Sequence, residues 1–141
     1  MSLEHSLKVV DAAIDEFNER DWERFGELHA EAVVLTAPSL QEPAHGRPAV
    51  KQWAKTLATA FPDLHWQPVR SFGQDNEVFV EMIATGTHQG PLMGPGGEIP
   101  ATNKPIRLSI GGAFTVEGDE VGEVHIYNDM LGLLMQLGLA P

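Results

Sequence analysis

Three stretches of this chain alternate between apolar and polar residues, and all three share one phase. In 78–88, Val78, Val80, Met82, Ala84, Gly86 and His88 fall on one face, as do Ile106, Leu108, Ile110, Gly112, Phe114 and Val116 in 106–116. In 121–128, Val124, Ile126 and Asn128 alternate with Glu123, His125 and Tyr127. A period of two marks half-buried strands, because successive side chains point to opposite faces of a sheet. The even-numbered face is therefore expected inside a curved sheet and the odd-numbered face outside it. Residues 65–72 form a further strand, interrupted by Pro68 and so expected at an edge or at a bulge. Residues 73–76 and the pair Gly118 and Asp119 read as turns.

Ahead of these strands the period becomes helical. Ser2 is placed to cap a helix whose apolar stripe is Leu3, Leu7, Val10, Ile14 and Phe17. Asp21 can cap a short second helix carrying Trp22, Phe25 and Leu28. Pro48 suits the first turn of a third, with Val50, Trp53, Leu57 and Phe61 as its stripe and Pro62 at its end. Between the second and third helices, 32–37 is β-branched and short enough for a strand, followed by a loop over 38–46. The segment 89–105 holds Pro91, Pro95, Pro100 and Pro105 with Gly90, Gly94, Gly96 and Gly97, and reads as a long irregular loop of the kind that is functional or mobile. The stretch 117–139 reads as a turn, a strand and a short helix, the wall and lid of any pocket. Met130, Leu131, Leu133, Leu134, Met135 and Leu137 make that helix apolar nearly all round, so it should be covered on most sides by the mouth of the sheet or by a partner subunit. Helices followed by a meander give an α+β class: a cone-shaped, curved, mixed or antiparallel sheet wrapped around three N-terminal helices, with a short C-terminal helix, in one domain over 1–141.

Charge narrows the partners. Acids outnumber bases 20 to 9, for a formal charge of −11, which makes nucleic acid and anionic membranes poor partners. With no cysteine there is neither a disulfide framework nor a thiolate nucleophile or metal site. No apolar run approaches the ~18 residues a membrane span needs. The first residues lack a basic segment followed by an apolar core, so a cytoplasmic location is expected.

The segments GTHQGPLMG (86–94), FPDLHW (61–66), HGRPAVKQW (45–53) and above all NDMLGLLMQLG (128–138) resemble the SnoaL-like polyketide cyclase family of the nuclear transport factor 2-like superfamily. The resemblance runs in order from the first helix to Gly138. It implies an α+β cone with a hydrophobic pocket, and homodimers that pair through the convex sheet face. It also implies metal- and cofactor-free ring closure by intramolecular aldol condensation, with an aspartate on the last strand and a histidine on the preceding one. Anchored on DMLGLL, the aspartate falls at Ile126 and the histidine at Gly112. Neither residue can transfer a proton, so the resemblance gives the fold and pocket without the family's catalytic pair.

The remaining candidates each have a plainer reading. His88 could act as an acid/base beside the cavity or bond the loop that follows it. Asp129 and Asn128 could serve chemistry, but both suit the cap of the last helix, and Asn128 could also orient a ligand carbonyl. The odd-numbered His125 and Tyr127, with Arg107, are expected at the convex dimer face. His5, His29, His45 and His65 show no metal-ligand spacing. Trp53 and Trp22 read as core, with one of them a possible floor of the cavity. Met82, Met93, Met130 and Met135 are adaptable fillers. The expected ligand-binding set is Trp53, Val80, Met82, His88, Ile110, Gly112, Phe114, Val124, Ile126 and Asn128, with Gly112 enlarging the cavity, no metal and no cofactor. Three readings follow: a binder of a small apolar or cyclic, polyketide-like molecule; a cofactor-free cyclase-like lyase or isomerase with a displaced acid/base such as His88; or a dimeric domain with a vestigial cavity.

Overall fold

Ser2 caps α1 (Leu3–Glu19) with its hydroxyl accepting from the His5 N–H, and Asp21 caps α2 (Trp22–Glu27) by accepting from Arg24 N–H. Both caps satisfy amides that the first helical turn leaves without partners. The computed structural model describes residues 2–94 and 96–140. Met1 and Pro141 of the expected 1–141 domain, and Pro95 of the expected loop, lie outside the described residues.

After α2 come β1 (His29–Thr36), the two-residue β2 (Ala44–His45) and α3 (Arg47–Ala60), with Pro48 in its first turn. β3 (His65–Gln74), β4 (Glu77–Thr87), the short pair β5 (Leu92–Gly94) and β6 (Gly97–Ile99), β7 (Pro105–Glu117), β8 (Glu120–Tyr127) and α4 (Met130–Gln136) complete the chain. The main sheet has the order β2-β1-β8-β7-β4-β3. β1 runs parallel to β8, and the other neighbours are antiparallel, so the sheet is mixed. β3 is an edge strand whose pairing shifts between Pro68 and Arg70. That is the place proline allows, since it cannot donate to a ladder.

The even-numbered face is buried along β4 and β7, from Val78 to Gly86 and from Ile106 to Val116. α1 and α3 pack into this concave side, bringing Val10, Ile14, Phe17, Val50, Trp53 and Ala54 into one core with the sheet. The phase breaks once. The β7–β8 register shifts between Thr115 and Val116, and the odd-numbered Val121 turns inward and is fully buried. A bulge of this kind adds a residue to one strand and flips the faces beyond it.

One expectation needs correction, and a second is met only in part within the single chain. The 89–105 segment is not irregular throughout: Leu92 and Ile99 pair across a small hairpin, whose Leu92 is buried. α4 is covered on one side only in the single chain. Leu133 and Leu137 are buried, whereas Leu131, Met135 and Leu139 are 60%, 51% and 47% exposed. The helix is tied down by Gln136, whose side chain accepts from Arg107 N–H (2.8 Å) and donates to Arg107 C=O (3.0 Å).

Candidate functional site

Two small cavities lie on the concave side of the sheet, one behind the other. The mouth cavity has a volume of about 70 Å³ and is walled by α3, β3, β4, β7, β8, α4 and the start of the β5–β6 hairpin. Its wall is almost wholly apolar, with Leu57, Ile110, Ile126, Met130 and Leu133 typical; Ser39 and Asn128 are its only lining residues with a hydroxyl or amide side chain. Asn128 is half-buried at the rim, its amide directed at Met130 Sδ (3.6 Å). Asp129, one residue on, caps α4 by accepting from Gly132 N–H at 2.8 Å and so sets where the lid starts.

The inner cavity is smaller, about 30 Å³, and its walls include Ala13, Phe17, Phe25, Leu35, Phe114 and Val124. Trp53, Trp66 and Ile126 line both cavities and form the partition between them. The two indole rings meet edge to face, centroids 6.1 Å apart. Asn18 fixes Trp66 by donating to its carbonyl and accepting from its amide, both at 2.9 Å. Neither indole N–H has an acceptor, although both are fully buried. Such a donor costs about 1–3 kcal/mol when left unpaired.

The inner cavity also has a histidine on its wall. His29 is 2% exposed, and its Nδ1 lies 2.7 Å from the Phe25 carbonyl. A carbonyl only accepts, so Nδ1 carries the proton, and in the neutral ring Nε2 is a bare acceptor. Burial pushes the His29 pKa down; the Phe25 carbonyl opposes this, and the Arg47 cation adds to the lowering. Arg47 also grips the His29 carbonyl (2.6 Å) and pairs with Glu120 (2.7 Å), holding the first residue of β1 against β8.

The expected ligand set divides on this geometry. Trp53, Ile110, Ile126 and Asn128 line the mouth cavity, and Phe114 and Val124 the inner one. Val80 and Met82 are fully buried and line neither. Gly112 does not enlarge the space, because the Phe114 ring fills it: a Cβ there would meet Phe114 Cε1 at 2.7 Å. Gly112 and Ile126 are direct partners across β7 and β8. His88 is fully buried but lines neither cavity. Its Nδ1 accepts from the Thr102 amide (3.2 Å) and lies 3.0 Å from the Thr102 hydroxyl, while its backbone bonds Asn103 and Lys104. It is the pin of the 89–105 segment, bonding the loop as the plainer reading had it. His125 and Tyr127 lie on the convex face, His125 against Glu123 at 2.6 Å and Tyr127 58% exposed. Trp22 packs on Phe17 and Phe25, away from both cavities.

Sequence reasoning passed over Trp66 and His29. Trp66 has an even number in a strand that faces inward before its proline, which is a usable signal. His29 gives none, since its role depends on a carbonyl four residues back fixing the tautomer. Among the described residues no group of three or more His, Cys, Asp or Glu could hold a metal ion, and no helix is long and apolar enough to cross a membrane.

Comparison with known proteins gives the fold a family. A protein from Jannaschia sp. CCS1, provisionally assigned as a SnoaL-like polyketide cyclase, superposes with a TM-score of 0.86 at 18% identity, over 98% of this chain and 94% of that one. IdmH of Streptomyces antibioticus, provisionally assigned as a polyketide cyclase, gives 0.80 at 22% identity, over 94% and 98%. TerC, co-crystallized with polyporic acid, gives 0.74 at 14% identity, over 95% and 98%. A search of curated proteins found no match. The family model for the SnoaL-like polyketide cyclase matches residues 8–137. With that match over most of its length and the α+β cone in place, the chain belongs to the SnoaL-like polyketide cyclase family.

Proposed function

We propose that the chain binds a small apolar or cyclic, polyketide-like molecule in its mouth cavity, without the acid/base pair of the family's cyclases. The observation that supports this most is the composition of the wall: aromatic and aliphatic side chains throughout, with Asn128 at the rim as the amide able to orient a carbonyl. Apolar cavities with one or two placed polar groups are the usual form of a small-molecule site. The positions matching the family's aspartate and histidine hold Ile126 and Gly112, which face each other and cannot carry a proton. TerC, of the same fold, was co-crystallized with polyporic acid, which favours a cyclic ligand here by analogy alone. The convex face fits a second copy of the chain, with Val69, Phe72 and Tyr127 each more than half exposed.

The test is a thermal-shift titration with 1-tetralone, a bicyclic aromatic ketone. A ligand that binds only the folded state raises the melting temperature with concentration. The rise should vanish in Leu57→Trp, which fills the cavity from its rim. No rise for this or any other apolar ring, or a rise unchanged in Leu57→Trp, would refute the reading. For the dimer, sedimentation should give twice the chain mass, reduced to one by Tyr127→Glu; a monomeric wild type contradicts it.

A further inference from the structure

The mouth cavity is too small to enclose a whole ring. At about 70 Å³ it has about half the roughly 150 Å³ of a cavity that encloses benzene. A ring seated against Trp53 must therefore project outward, and a second hollow adjoins the place where it would emerge. This groove, of about 330 Å³, is lined by α3, β2, the loop between β1 and β2, and the start of the β5–β6 hairpin. Small side chains leave it open: Ala44 of β2 and Ala49 in the first turn of α3 are part of its wall. Ser39, Trp53, Leu57, Leu92 and Met93 line both the groove and the mouth. The partition toward the inner cavity is buried, but on this side Ser39 is exposed and Met93 is 55% exposed. Mouth and groove thus open onto the same stretch of surface, and the flexible Met93 thioether borders both.

We propose that the groove is the second half of the ligand site and holds a neutral alkyl tail carried by the ring in the mouth. This rests on the reading of the mouth cavity as a ring site, and it sets the length of molecule that the site takes. Among the described residues no charged side chain lines the groove, so a tail ending in a carboxylate or phosphate finds no cation there. The Thr56 hydroxyl makes no demand on the occupant either. It donates to the Gln52 carbonyl (2.8 Å) and accepts from the Gln52 side-chain amide (3.3 Å), so it is satisfied within α3. Leu40, Leu57 and Leu92 offer aliphatic surface, and a tail laid on them leaves water without stranding a polar atom. A tail with free torsions can follow mouth and groove whatever the angle between them, whereas a rigid polycycle fits only one angle. Ala44 and Ala49 are on this view specificity-determining residues, because a larger side chain at either would fill the groove.

The experiment compares acetophenone with hexanophenone, phenyl ketones that differ only in the length of the alkyl tail, on the full chain labelled at its alanine, leucine and methionine methyls. Both should perturb the Met130 methyl, which lines the mouth and not the groove. Only hexanophenone should perturb Leu40 and Ala49, which line the groove and not the mouth. Each fully buried methylene is worth roughly fourfold in affinity, so in a groove open on one side hexanophenone should bind about tenfold tighter overall. In Ala49→Phe that gain should shrink to about twofold or less, with acetophenone binding unchanged. Thr56→Phe, at a half-buried position of the groove wall, should do the same and replaces Ala49→Phe if that variant does not fold. If neither folds, the wild-type methyl shifts decide alone. Equal affinities, a gain that survives in the folded variants, or hexanophenone shifts at Met130 without shifts at Leu40 overturn the groove and leave the ring site standing. If neither ketone perturbs the Met130 methyl, both fail.

Discussion

The mouth cavity and the inner cavity share a wall, yet they differ in access and in the groups that line them. The mouth is edged by exposed residues such as Ser39 and Met93 and by a helix with bare leucine and methionine on its outer side. The inner cavity is sealed by aromatic rings and holds a histidine that is 2% exposed. An unmatched polar atom is costly only where water is excluded, so the buried end is held to stricter pairing than the rim. The two buried histidines carry the same contrast. His88 Nδ1 accepts from the Thr102 amide and fastens a loop; His29 Nδ1 donates to a carbonyl and turns its lone pair outward from that bond. One carbonyl or one amide decides which ring nitrogen of each neutral histidine carries the proton.

Removing the partition should have the largest effect. Trp66→Ala joins the two cavities and should lower stability by about 3–5 kcal/mol in urea unfolding, as large-to-small changes at buried aromatics do. A loss under about 1 kcal/mol would mean the wall is not packed as described. His88→Ala comes next. It strands the Thr102 amide and should cost about 1–3 kcal/mol, with faster amide exchange confined to 89–105. Exchange that quickens equally around His29 would erase the distinction between the two histidines.

The pH dependence is smaller and has a definite sign. The folded chain holds the His29 proton less readily than an ordinary histidine at 6.5, so below that pH the unfolded chain binds more protons. Stability should therefore be unaffected by this residue above about 6.5 and should fall as the pH drops below it, by at most about 1.4 kcal/mol per pH unit. His29→Phe should flatten that slope; an unchanged slope places the acid sensitivity elsewhere. Smallest is Asp129→Ala, which removes the α4 cap and should cost about 1 kcal/mol, read in urea unfolding and as faster exchange at Gly132.

Much of the frame was legible in the sequence. The stripes of α1 and α3, the caps at Ser2, Asp21 and Asp129, and the common even phase of β4 and β7 follow from local periodicity and side-chain chemistry. What was hidden depends on contacts between distant residues. Val121 turns inward because of a bulge against β7, and no local pattern announces it. Gly112 gives no extra room because the Phe114 ring, two residues along the same face, lies over it. His88 and His29 look alike as letters, and only their partners, Thr102 and Phe25, separate them. The pairing of Leu92 with Ile99 is likewise a register, not a composition.

Whether the mouth cavity receives an apolar ring can be seen in a crystal structure of the chain soaked with 1-tetralone. Electron density for the bicyclic ring is expected against Trp53, Trp66 and Ile126, with its carbonyl toward the Asn128 amide. Density only on the convex face, or a mouth that stays empty at saturating ligand, would contradict it.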